Sequence, residues 1–145
     1  MKLLGFVHNG ERHIGAVEDE LVRDLGTATE FYADWRVASK RTDGDTFKIT
    51  EVEVVPAVPE TSRIFCVGIN YRSHAAESKD LAGLDEPKLP MIFGRWQQSL
   101  VTNNVPVPVP PNEEGLDWEV ELAAIIGDTT WAATEETALE SVVGY

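Results

Sequence analysis

Thiol chemistry is nearly absent from this chain: Cys66 is the only cysteine in 145 residues. A single cysteine excludes an internal disulfide framework and suits a reducing compartment. Long apolar runs are also lacking, with none near the ~18 residues of a membrane helix. The start, "MKLLGFVHNGERHIG", has no signal-peptide layout, because charges interrupt it before an apolar core can form. A cytoplasmic chain is therefore expected. Basic residues are scarce, 12 against 25 acidic ones, for a net charge of −13. That balance speaks against nucleic acid and anionic membrane as partners. An anionic small molecule remains open, because a bound cation can invert the local field. No glycine-rich phosphate loop, CxxC, HExxH or GxSxG element occurs.

Apolar residues make up 43% of the chain, enough for a packed core. "KLLGFVH" and "RHIGAVE" flank Asn9-Gly10, a strong hairpin signal. "ELVRDL" reads as a third strand, and His8 and His13 as exposed hairpin histidines. Thr27 or Thr29 can cap a helix running to Lys40, with Phe31, Trp35 and Ala38 at helical spacing. "FKITEVEVV" alternates like one strand, and the prolines of "PAVPE" end it. Two domains are expected, residues 1–57 as a small β-domain with one helix and residues 61–145 as the start of a second.

The second part opens on "RIFCVGIN", an apolar strand expected to be buried on both faces. "LAGLDEPKLP" reads as a loop, "MIFGRWQQSLV" as a strand region and "VPVPVPP" as an extended edge or polyproline segment. "TEETALESVVGY" reads as a capped helix and a strand start.

Three constellations could carry chemistry. Asp117, Glu119 and Glu121 alternate with Trp118, Val120 and Leu122. In a strand these acids share one face over about 14 Å. They suit a hard divalent cation, or else a solvent-facing edge that discourages aggregation. His74 and Glu77 share a face on a helical turn, so the carboxylate can orient the imidazole as a base; a plain surface pair has the same spacing. Arg95 can hold a carboxylate bidentately, or be an ordinary surface arginine.

In the order "FCVGINYRSHAAE", "PMIFGRWQQSLV", "DWEVELAAIIG", "VVGY", these segments closely resemble the fumarylacetoacetate hydrolase family. More narrowly, they are similar to its acylpyruvate hydrolase and 2-hydroxyhepta-2,4-diene-1,7-dioate isomerase branch. The resemblance spans about Ile64 to Tyr145, and the opening residues look like the small N-terminal domain such proteins often carry. It implies a β-rich α+β fold whose second domain is part of a mixed β-sheet roll. It implies that Glu119 and Glu121 bind Mg²⁺ or Mn²⁺ (Ca²⁺ is a further option), with Asp117 in a supporting role. His74 and Glu77 become the dyad that activates water; Arg95, Asn70 and Tyr71 bind substrate. The reaction implied is metal-assisted C–C cleavage of an acylpyruvate or related 2,4-dioxo acid, with isomerase or decarboxylase activity as alternatives. The family's third metal ligand, an aspartate in an N-D-x-[ST]-x-R-D segment, falls past Tyr145. The alternative from another class is a non-catalytic subunit needing a complementary chain. A homo-oligomer is expected, with a second chain as a further partner.

Overall fold

The Asn9-Gly10 pair turns the chain back on itself. Both residues take left-handed backbone angles, φ 50° and 79°, which match the twist of a two-residue hairpin. The hairpin joins β1 (Leu3–His8) to β2 (Glu11–Glu18), in register from Leu3 opposite Ala16 to His8 opposite Glu11. The computed structural model describes residues 1–145 except Leu84, Glu86 and Asn103. It is β-rich, with antiparallel sheets and few helices, and divides into two compact units: residues 1–59 with 102–145, and residues 60–101. The expected second domain, 61–145, is therefore split, and its later part joins the N-terminal domain.

In the first unit, β3 (Leu21–Thr27), β4 (Thr46–Lys48) and β5 (Val54–Val55) complete a five-stranded sheet in the order β4-β3-β2-β1-β5. The single strand expected over 47–55 is thus two strands, parted by a 3₁₀ turn at Ile49–Glu51. The break is forced, because β4 pairs with β3 and β5 with β1, at opposite edges of the sheet. The sheet is strongly curled. Strands lie about 4.8 Å apart, yet the rings of Phe6 on β1 and Phe47 on β4 are only 5.8 Å apart, although β2 and β3 lie between.

Ile14, Ala16 and Leu25 pack on one side with Ala28 and Phe31 of α1 (Ala28–Ala33). Thr27 starts α1 through a capping box. The Glu30 N–H donates to Thr27 Oγ1 at 3.2 Å, and the Thr27 N–H donates to Glu30 Oε2 at 3.0 Å. Those bonds from Thr27 hold the Glu30 carboxyl below its usual range. The helix expected to reach Lys40 stops at Asp34 (φ −152°), whose carboxylate accepts from the Val37 N–H and starts α2 (Trp35–Ala38).

His13 corrects another expectation. It is buried, not exposed, and His8 is half-buried. The His13 ring Nδ1 lies 2.8 Å from Asp24 Oδ2, and Asp24 Oδ1 also accepts from the Gly26 N–H at 2.7 Å. Position 13 stands opposite Phe6, so its side chain enters the curled face of the sheet. A buried imidazole requires such a partner.

Residues 125–145 are held on this unit through α2. The Arg36 guanidinium donates to both oxygens of Asp128, at 2.9 and 2.7 Å, and stacks 4.3 Å over the Trp35 ring; the Trp35 indole N–H also donates to Asp128. Val143 packs against the Ile14–Phe31 cluster. Gly127 is needed here, because an added Cβ would lie 2.2 Å from Val143 Cγ2 and 2.8 Å from the Trp35 ring.

In the second unit, β6 (Ile64–Gly68) pairs antiparallel with β7 (Met91–Arg95), and α3 (Arg72–Ala82) lies between them in sequence. β6 is not buried on both faces as expected: Phe65 is 67% exposed, and β7 is exposed throughout. A two-stranded sheet has only one neighbour per strand and cannot cover both faces. The loop expected over 81–90 falls partly on Leu84 and Glu86, outside the described residues.

The strand in which Asp117, Glu119 and Glu121 would share a face is absent. Residues 116–124 belong to no helix or strand and are exposed, and only β8 (Ile125–Ile126) pairs, with β9 (Val142–Gly144). α4 (Glu135–Ala138) is capped by Thr134, as its sequence suggests. No helix among the described residues is long and apolar enough to cross a membrane.

The Arg36–Asp128 pair yields a pH prediction. Hydrogen bonding to Arg36 holds the Asp128 carboxyl below its ordinary 3.8. A depressed folded-state value means that the pair's contribution is present above pH 3.8 and is lost as pH falls through the lowered value. Protection factors at 125–127 and 142–144, taken relative to the intrinsic exchange rate at each pH, should therefore fall at acid pH. Arg36→Ala should produce the same loss of protection at neutral pH while β1–β3 stay protected. Unchanged exchange in Arg36→Ala would show that the pair does not hold this segment.

Candidate functional site

The path from β6 into α3 sets the first candidate group. The chain leaves Gly68, passes Ile69 in the left-handed region (φ 53°), and enters the helix through Asn70 and Tyr71. Left-handed backbone is costly for a β-branched residue, about 1–3 kcal/mol, and such strain clusters at functional turns. Tyr71 is the N-cap, and its carbonyl accepts from the Ala75 N–H at 2.9 Å. At the other end Gly83 (φ 67°) closes the helix, its N–H donating to the Lys79 carbonyl. Within these limits His74 and Glu77 stand one turn apart on the same side of α3, as their spacing suggests. His74 is half-buried and Glu77 exposed.

Arg95 ends β7, opposite Ile64 at the start of β6, and is exposed. Asn70 and Tyr71 lie past the other end of the same strand pair, beyond Gly68 opposite Met91. Five paired residues put about 13 Å between those ends. The strand pair thus sends Arg95 and the Asn70-Tyr71 turn off in opposite directions.

The acidic group differs more from expectation. Asp117, Glu119 and Glu121 are exposed, in the segment that forms no strand. Their common face depends on strand geometry, so it is not present here. Asp117 makes a local bond, accepting from the Trp118 N–H at 2.8 Å. These acids belong to the first unit, and His74, Glu77 and Arg95 to the second.

Residues 63–145 match the family described as fumarylacetoacetate (FAA) hydrolase C-terminal. The chain belongs to the fumarylacetoacetate hydrolase family. The whole chain also aligns with longer relatives. It is 35% identical over 149 residues to the 2,4-didehydro-3-deoxy-L-rhamnonate hydrolase of Sphingomonas sp. strain SKA58, covering all of this chain and 51% of that protein. It is 33% identical over 154 residues to a Burkholderia ambifaria strain MC40-6 protein with a provisional hydrolase name, covering all of this chain and 53% of that protein. The chain spans about half the length of the curated relatives it matches.

In this fumarylacetoacetate hydrolase family member the donor chemistry suits a hard cation, because Glu119 and Glu121 offer carboxylate oxygens. The arrangement does not. Among the described residues no three His, Cys, Asp or Glu side chains gather closely enough to hold a metal ion.

Two features of the matched stretch escape the sequence. Ile69 gives no sign of its left-handed backbone, since glycine or asparagine is the usual marker of that conformation. Asp128 gives no local sign of its partner, Arg36, which is 92 positions earlier.

Mn²⁺ binding to the chain alone should be no tighter than about millimolar, as measured by water-proton relaxation. A micromolar site that disappears in Glu119→Gln would contradict this.

Proposed function

We propose that the chain is the N-terminal half of a hydrolase that cleaves a C–C bond in an acylpyruvate or related 2,4-dioxo acid. The observation that carries this reading is the placement of His74 and Glu77 one turn apart on α3, inside the stretch that matches the family. The name of the Sphingomonas relative adds support: its substrate is a 3-deoxy acid oxidised at positions 2 and 4. On this reading residues 63–145 form part of a mixed β-sheet roll.

His74 takes a proton from water, and Glu77 holds the imidazole in the orientation and tautomer this needs. The water oxygen bonds to the distal carbonyl carbon. The bond from that carbon to the methylene breaks, and its electron pair passes to the enolate of the departing oxo acid. The proton held on His74 then returns to that methylene carbon. Arg95 pairs with the substrate carboxylate, and its guanidinium stays charged throughout. Asn70 and Tyr71, at the entry to α3, offer polar groups next to the dyad rather than next to Arg95. The divalent cation enters as a reading of Glu119 and Glu121, the hard-oxygen donors the chain offers. With no three-donor group among the described residues, the chain's own share of the reaction rests on His74, Glu77 and Arg95.

The test is turnover of an acylpyruvate panel with and without Mg²⁺, followed by loss of dioxo-acid absorbance, on protein of confirmed mass. His74→Ala should lower kcat by at least about 100-fold, and Glu77→Gln by less. Unchanged turnover in His74→Ala would sink the dyad. No turnover under any divalent condition by a full-length protein that contains this chain would contradict the enzymatic reading.

A further inference from the structure

We infer that Arg12 and Tyr32, with Thr102, clamp the segment Glu53–Val58 as a strap that fixes both ends of residues 60–101, which makes Arg12 and Tyr32 positioning residues for the dyad on α3. The first observation is a convergence on the strap's main chain. The Val7 N–H of β1 donates to the Glu53 carbonyl at 2.9 Å. The Tyr32 hydroxyl of α1 donates to the Ala57 carbonyl at 2.7 Å, and the Arg12 guanidinium of β2 to the Val58 carbonyl at 2.8 Å. β1, α1 and β2 thus hold one segment by its backbone oxygens, whatever its side chains.

The segment adds stiffness of its own. Pro56 and Pro59 fix their own φ angles and confine Val55 and Val58 to extended backbone. Ala57 packs against the Ile14–Phe31 cluster. Gly5 lets the strap lie close on β1: an added Cβ would be 2.5 Å from the Val55 carbonyl oxygen and 2.6 Å from that of Pro56. Burial pushes the Tyr32 hydroxyl up to about 12, so it keeps its proton, and its donor role, in neutral and mildly alkaline solution.

The second observation is where the chain returns. Successive carbonyls of an edge strand point alternately toward its neighbour and away from it. Glu53 faces β1, so Val54 turns its carbonyl to the open edge of the sheet, and there it accepts from Thr102 Oγ1 at 3.2 Å. Pro59 is the last residue before segment 60–101, and Thr102 is the first after it. Pro59 lies five residues past Val54, at most about 17 Å along the chain. The departure and the return of 60–101 are therefore tied to the same strap. That segment carries His74, Glu77 and Arg95. Misplacing reacting groups by about 1 Å costs about 100-fold in rate. The positioning role rests on the reaction proposed above; the clamp does not.

Backbone order parameters from NMR relaxation read the clamp in the chain itself. Val54, Val55, Ala57 and Val58 should give about 0.85. Tyr32→Phe with Arg12→Met should bring Ala57 and Val58 below about 0.6 while β1–β3 keep their values. Tyr32→Phe alone keeps the ring and removes only the hydroxyl, and should lower the Ala57 value by itself. In a full-length protein that contains this chain, the double substitution should lower kcat about ten-fold or more with KM within about two-fold. Arg12→Lys in place of Arg12→Met keeps a donor for the Val58 carbonyl and should restore most of that loss. Order parameters already low in the unsubstituted chain, or unchanged in the double variant, overturn the clamp. A loosened strap with unchanged kcat overturns the positioning role. A strap that loosens as expected in a protein that never turns over upholds the clamp and removes the reaction.

Discussion

A β-strand persists only when a neighbour bonds its edge and something apolar covers its inward side chains. The first 59 residues meet both conditions. The Asn9-Gly10 turn pairs β1 with β2, the sheet curls until Phe6 reaches Phe47, and α1 closes the other face with Phe31. Residues 116–124 have a sequence suited to a strand but form none, and they are exposed. This difference decides which parts of the candidate site exist in the chain as it stands. The His74–Glu77 pair needs only a helix, and α3 is present. The Glu119–Glu121 pair needs a strand, and its common face is not formed.

Residues 125–145 show how the later part of the chain is tied down. The fork of Arg36 on Asp128, the Trp35 indole, and the close approach of Gly127 to Val143 hold it against the N-terminal core. Asp128 directly follows the apolar run that ends in β8. The order of the chain therefore changes at this point, from the exposed 116–124 segment to a paired and anchored one.

Much of the fold was legible wherever a local signal settles structure. Asn9-Gly10 marks its turn, Thr27 is one of the two threonines that could cap the first helix and is the one that does, and the spacing of His74 and Glu77 places them on one helical side. Reading failed where a distant contact decides. Nothing near Asp34 shows that its carboxylate ends one helix and starts another. The alternation of "FKITEVEVV" hides that β4 and β5 serve opposite edges of one sheet. His13 looked exposed because its partners, Phe6 and Asp24, come from two other strands. The period-2 pattern at 117–122 was real, but a pattern states what a strand would bury and not whether a partner is there to bury it.

The central claim is that the fully buried core lies within the first 31 residues, while the strand-patterned segment 116–124 forms no strand and is exposed. Residue-resolved hydrogen exchange of the chain alone, by NMR at neutral pH, tests it most directly. The account expects the strongest protection at Phe6, Ile14, Val22 and Leu25, and exchange over 117–121 close to that of an unfolded peptide. Protection over 117–121 equal to that of β2 would contradict it.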